Sequence, residues 1–146
     1  MVNSNLDSFR LICKFIKSVT LNYFFMFLTL NHQKLEVYNF SKLFVKESYK
    51  LTQLLPPEER FGMISQIRRA ALSVHLNIAE GSSRKSAAER KRYYEISRGS
   101  LIEIDAAIDI ANELGYFNNY DLNKFGDAMV ACFKLLSGLI SLKSAH

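Results

Sequence analysis

The sequence has few of the residues that punctuate a chain. Its 146 residues include two prolines, adjacent at Pro56 and Pro57, and six glycines. A β-sandwich or barrel needs turn signals about every 8–12 residues, and they are missing. Two cysteines, Cys13 and Cys132, build neither a disulfide framework nor a four-ligand zinc site. That usage fits a reducing compartment, and a cytoplasmic protein is expected. The glycines are isolated, so no phosphate-cradling loop exists. The three histidines, His32, His75 and His146, lack the Glu-x-x-His partners of a di-iron bundle. No Ser/His/Asp or Cys/His arrangement stands out by spacing. The expectation is a protein with no metal, no cofactor and no catalytic residue.

What is present points to helices. Hydrophobic residues make up 49% and charged residues 23%, the usage of a globular domain rather than a disordered chain. The net charge of +5 is unevenly spread. Residues 60–98 carry nine basic side chains (Arg60, Arg68, Arg69, Arg84, Lys85, Arg90, Lys91, Arg92 and Arg98) against Glu80, Glu89 and Glu95. Residues 99–146 are net acidic. Arginine dominates the basic stretch, and its planar fork suits phosphate or carboxylate.

Residues 1–32 differ in composition, with no Ala, Gly, Pro or Glu. Three readings stay open for this N-terminal extension. Arg10, Lys14 and Lys17 before Val19–Leu30 resemble a signal peptide, but Asn31, His32 and Gln33 supply no small-residue cleavage site. As an anchor the apolar run is shorter than the ~20 residues that span a bilayer. The third reading is upstream sequence preceding a start near Met26. No membrane association is expected of the remainder, residues 33–143.

Four helices follow from periodicity. Leu35–Leu55 repeats Val37, Phe40, Phe44, Ser48, Leu51 and Leu55, with Leu43, Val45 and Tyr49 adding apolar surface for a second neighbour. The proline pair ends it. The second helix, Glu58–Glu80, carries a heptad seam of Ile64, Ile67, Ala71, Val74 and Ile78. Beside it runs a polar stripe of Ser65, Gln66, Arg69, Ser73, Asn77 and Glu80, and Gly81 is the expected C-cap. Ser86 and Glu89 fit a capping box opening the third helix. Its seam is Tyr94, Ser97, Leu101, Ile104, Ile108 and Ala111, and Gly115 closes it. Asn118, Asn119 and Asp121 are N-cap candidates for the fourth, which repeats Leu122, Phe125, Met129, Cys132 or Phe133, Leu136 and Ile140. Short connections between long helices make neighbours antiparallel, so the fold class is all-α, an up-down-up-down antiparallel four-helix bundle.

Glu103, flanked by Ile102 and Ile104, is expected to form a structural ion pair with an arginine of the second helix. The interval from Arg69 to His75 resembles the arginine-to-histidine motif of the small helical HEPN ribonucleases. It would imply metal-independent RNA cleavage, with Arg69 on phosphate charge and His75 on a proton.

A larger resemblance lies in the middle of the chain. Phe61–Gly81, with Arg68-Arg69 and Asn77-Ile78-Ala79-Glu80-Gly81 at its heart, is similar to the signature of the 23S rRNA-intervening-sequence protein family of bacteria. The Pro56–Arg60 element, Tyr94 with the Ser97–Glu103 block, and the Glu113–Tyr116 turn resemble it too, over about residues 33–142. The resemblance implies pentameric rings of four-helix bundles. It also implies kinship to a retroelement accessory protein whose basic ring surface binds nucleic acid and a reverse transcriptase.

On that footing the leading expectation is a non-enzymatic homo-oligomer that binds RNA or DNA electrostatically through Arg68, Arg69, Arg84, Lys85, Arg90, Lys91 and Arg92. Ser65, Gln66, Ser73, Asn77 and Glu80 would meet their copies across the ring. The alternative is an interaction scaffold whose basic rim holds an acidic protein partner.

Overall fold

A computed structural model describes residues 28–142. The expectations for residues 1–27 lie outside the described residues. The chain divides into two units, Met1–Leu30 and Asn31–His146, and the bundle is the second. It begins with a 3-10 turn, Asn31–Lys34. Four helices follow: α1 Glu36–Leu51, α2 Met63–Ser83, α3 Ala87–Glu113 and α4 Asn123–Ser141. Helix α1 packs on α2 and α4, and α3 packs on α2 and α4, with no diagonal pair in contact. That closed circuit is the four-helix bundle expected from the periodicity. Among the described residues there is no strand, and no helix is long and apolar enough to cross a membrane.

Phe44, Leu51, Ile67, Val74, Ile78, Leu101, Ile104, Cys132 and Leu136 form the sealed centre. Each large aliphatic side chain buried there contributes roughly 1.5–3 kcal/mol. The fourth-helix ambiguity resolves to Cys132, which is fully buried, while Phe133 is exposed. Loss of water pushes the Cys132 thiol up to about 12.

The helix ends differ from expectation in three places. Helix α1 stops at Leu51, four residues before Leu55. Leu55 precedes a proline and is driven out of the helical region, and Pro56 cannot donate to the ladder. The last turn tightens instead: Gln53 N–H donates to Lys50 O and Leu54 N–H to Leu51 O, both at 3.0 Å. The second helix does not start at Glu58. Pro57–Arg60 is a separate 3-10 turn, and α2 opens after Gly62. The Glu59 carboxylate accepts the free Met63 N–H at 3.1 Å, placing its negative charge at the positive end of α2.

The third difference is Gly81, which is buried inside α2 rather than capping it. A Cβ there would stand 2.9 Å from Tyr94 Cε1 and 3.0 Å from Tyr93 Cβ. This glycine exists for closeness between helices, not for a left-handed turn.

Other ends follow the sequence. Ser86 Oγ accepts the Glu89 N–H at 3.5 Å. Gly115 has φ +77°, its N–H donates to Asn112 O, and Tyr116 N–H reaches back to Ala111 O. Those two bonds make the Schellman closure of α3. Asp121 Oδ1 accepts Asn123 N–H at 2.9 Å at the start of α4, although Leu122 occupies the cap position itself.

Helix α1 buries more than its predicted stripe. Tyr38, Ser41 and Glu47 are buried, whereas Phe40 is half-exposed. The reason is its two neighbours. Phe44 meets Phe125 of α4 at 5.3 Å, and the buried Glu47 carboxylate lies 2.9 Å from Lys50 Nζ and 3.5 Å from Lys124 Nζ of α4. The Lys50 hydrogen bond, with added attraction from Lys124, holds the Glu47 carboxyl below the usual range despite burial.

Candidate nucleic-acid interface

The α2–α3 pair is the most extensive helix contact, and small side chains make it so. Ala70, Gly81, Ser97 and Ser100 are buried along it. Ser97 Oγ donates to Val74 O of α2 at 2.8 Å, and Ser100 Oγ and Ser73 Oγ lie 2.9 Å apart. The corner joining the helices is only Arg84, Lys85 and Ser86.

Within that corner the predicted basic residues divide by role. The Arg84 guanidinium lies over the Tyr93 ring at 5.0 Å, donates to Tyr93 Oη at 3.0 Å and pairs with Glu80. Arg90 Nη1 donates to Arg84 O at 3.0 Å and to Lys85 O at 2.7 Å, stapling the corner to α3. Both therefore shape the turn. Lys85, Lys91 and Arg92 are exposed around the first turns of α3, and Lys91 has only a loose partner in Glu95 at 3.9 Å. These three are the exposed cations of the corner, while the Arg90 charge, bonded only to carbonyls, lies partly buried behind them.

Arg68 and Arg69 are not part of this group. Fifteen residues of helix separate Arg69 from Arg84, about 22 Å along the axis. Arg68 Nε donates to Thr52 Oγ1 at 2.8 Å, and its guanidinium lies 5.0 Å over Tyr49, so it ties α2 to α1. Arg69 is exposed, donates to Gln66 Oε1 at 2.7 Å and stands 3.7 Å from Glu103 of α3. The expected Glu103 ion pair is therefore present, but on the surface, where it contributes little.

The polar stripe is largely satisfied within the chain. Asn77 Nδ2 donates to Ser73 O at 2.8 Å, Ser73 meets Ser100, Gln66 serves Arg69 and Glu80 serves Arg84. Ser65 is exposed.

Arg69 and His75 do not converge. Six residues place them about 120° apart around a helix. Arg69 turns toward α3, while His75 Nδ1 lies 2.7 Å from Ser41 Oγ of α1. Burial first, then the charges of Lys42 and His32, lowers His75 to about 4, so it is neutral at pH 7. The HEPN-like pairing has no common site in this bundle. Among the described residues no cluster of three or more His, Cys, Asp or Glu side chains is placed to hold a metal ion.

One surface feature is absent from the sequence reading. On α3, Ile96, Gly99, Glu103, Ala106 and Ile110 are spaced 3,4,3,4, a second heptad row, and all are exposed. The Arg69–Glu103 and Ser73–Ser100 pairings bring the outer edge of α2, with Leu76, alongside it. Ile96 is 43%, Ile110 52% and Leu76 59% exposed. The result is an apolar ridge with one ion pair at its middle and Arg92 at its end.

A family model described as 23S rRNA-intervening sequence protein matches residues 33–138. The chain belongs to that family. The match runs through all four helices, so the corner, the serine-lined interface and the outer ridge all lie inside the 23S rRNA-intervening sequence protein domain. No curated protein matches the chain.

Proposed function

We propose that this 23S rRNA-intervening sequence protein is a cytoplasmic, non-catalytic, self-associating bundle that holds RNA or DNA by its phosphates at the α2–α3 corner. The carrying observation is the division of labour there. Arg84 and Arg90 are used to stiffen the turn, and that leaves Lys85, Lys91 and Arg92 exposed on a rigid element. The positive end of α3 adds to their field. Contacts of this kind release counterions and are blind to sequence.

Self-association belongs to the same reading. Leu76 and Ile96 at one end of the ridge and Ile110 at the other present apolar side chains to solvent. Its Arg69 and Glu103 carry opposite signs that a second copy can exchange. A pentameric ring, as the family resemblance implies, would repeat the three exposed cations around one rim.

Filter binding of mixed RNA and DNA across a salt series tests the first half. The logarithm of the binding constant should fall linearly with log salt, and Lys85→Ala/Lys91→Ala/Arg92→Ala should weaken RNA and DNA alike by at least about tenfold. No retention at low salt overturns it. Displacement by polyglutamate as readily as by RNA transfers the corner to an acidic protein partner. RNA cleavage lost in His75→Ala would overturn the non-catalytic reading. Native mass measurement tests the second half: Leu76→Asp/Ile96→Asp should yield monomer with the fold intact, and unchanged assemblies would exclude the ridge.

A further inference from the structure

The boundary of the bundle lies two residues earlier than composition suggests, and the reason is a stack of rings. His32, in the turn Asn31–Lys34, is 7% exposed. Its ring lies 4.6 Å from Tyr38 of α1, tilted by 58°. His75 of α2 lies on Tyr38 too, at 4.4 Å and 27°, a true stack. One phenol ring is thus shared by two imidazoles from different elements. The Lys42 ammonium stands 5.0 Å from the same ring.

The hydrogen bonds fix which nitrogen of His75 carries its proton, and burial keeps the ring neutral at pH 7. Ser41 is fully buried and has a single hydroxyl proton, donated to Tyr38 O at 2.8 Å. It must then accept from His75 Nδ1–H across 2.7 Å. His75 is accordingly the neutral Nδ1–H tautomer. Its charged or titratable neighbours are Tyr38 and Lys42 from α1 and His32 from the turn, with Lys34 of the turn exposed. One turn away on α2 are Ala71, Leu72, Ile78 and Ala79, none of them charged. No carboxylate is in this set. A proton added to His75 puts a further positive charge beside Lys42 with no carboxylate of this set to neutralise it.

We propose that the Asn31–Lys34 turn is an acid-released latch, closed by the His32–Tyr38–His75 ring stack and opened when His75 takes a proton. The turn is four residues long, and at its exit Leu35 N–H donates to His32 O at 3.0 Å. Opening of so short a segment is a local event that leaves the bundle core, centred on Phe44 and Val74, to unfold separately.

Amide hydrogen exchange on the full chain, corrected for intrinsic rates, reads the latch at the Leu35 N–H. If opening returns His75 from about 4 to its ordinary 6.5, protection at Leu35 falls about twentyfold between about pH 7 and pH 5. The Val74 amide, in the core of α2, opens only with the whole bundle, so it should stay far better protected than Leu35 and, unlike Leu35, lose protection as urea is raised below the melt. His75→Gln should flatten most of the Leu35 profile. A fall of less than about threefold, or a Leu35 protection as high and as urea-sensitive as that of Val74, overturns the latch. So does a fall that persists undiminished when His32→Asn is added to His75→Gln.

Discussion

Helix α2 meets its two neighbours by different chemistry. Toward α3 it presents Ala70, Ser73 and Gly81, and the contact is made of small side chains, close backbones and hydroxyl groups. Toward α1 it presents Arg68 and His75, and the contact is made of a guanidinium on Tyr49 and an imidazole on Tyr38. The first interface is governed by shape, with only the exposed Arg69–Glu103 pair carrying charge across it, and should respond little to pH and salt. The second depends on which groups carry protons.

The sharpest way to break the first interface is volume. Gly81→Val drives a branched side chain into Tyr93 and Tyr94, where even a Cβ is too close. A loss of about 3 kcal/mol is expected, near the upper end for overpacking, read from the urea midpoint at unchanged slope. A loss below about 1 kcal/mol would show that the tyrosines swing aside at little cost.

Acid should find the second interface. His75 is lowered in the folded state, so the unfolded chain binds the extra proton between 6.5 and about 4. Stability is then full above about pH 6.5 and lost as pH falls toward 4. The shift corresponds to about 3 kcal/mol, reduced to about 2 kcal/mol because the ring is only partly buried. Urea melts at pH 7 and pH 4.5 measure it, and His75→Gln should remove most of the difference. Glu47 acts lower on the scale: its depressed carboxyl keeps its contribution above the ordinary carboxylate range and loses it only as pH falls further. A melt that changes only below pH 4 would assign the acid response to Glu47 instead.

The mildest change sharpens the contrast. Ser97→Ala removes a buried hydroxyl from Val74 O and should cost about 1 kcal/mol, equally at high and low salt. A salt-dependent loss would mean that the α2–α3 contact is not the uncharged one described.

The α3 seam was legible residue by residue. Tyr94, Ser97, Leu101, Ile104, Ile108 and Ala111 are all buried, because α3 turns one continuous arc inward. Helix α1 was less so, since contact with both α2 and α4 widens its buried arc to include Tyr38, Ser41 and Glu47. Gly81 shows a different limit. A glycine near a helix end reads equally as a cap or as a point of close approach, and only the tyrosines of α3 decide. Charge has the same limit. The run from Arg84 to Arg92 announces a basic corner, but which cations hold the turn depends on where Tyr93 and the corner carbonyls fall. The outer row of Ile96, Gly99, Ala106 and Ile110 was present as spacing, yet Glu103 and two small residues concealed its apolar character.

The three-residue corner between α2 and α3 also bears on the order of events when the chain folds. The largest interface in the bundle is closed by its shortest long-helix connection, so the entropy of bringing those partners together is least there. The α2–α3 hairpin should be the nucleus, with α1 and α4 condensing on it. Ser97→Ala should then slow refolding in a stopped-flow chevron, whereas truncating Phe125 of α4 should chiefly hasten unfolding. The reverse pattern would place the nucleus at the α1–α4 pair.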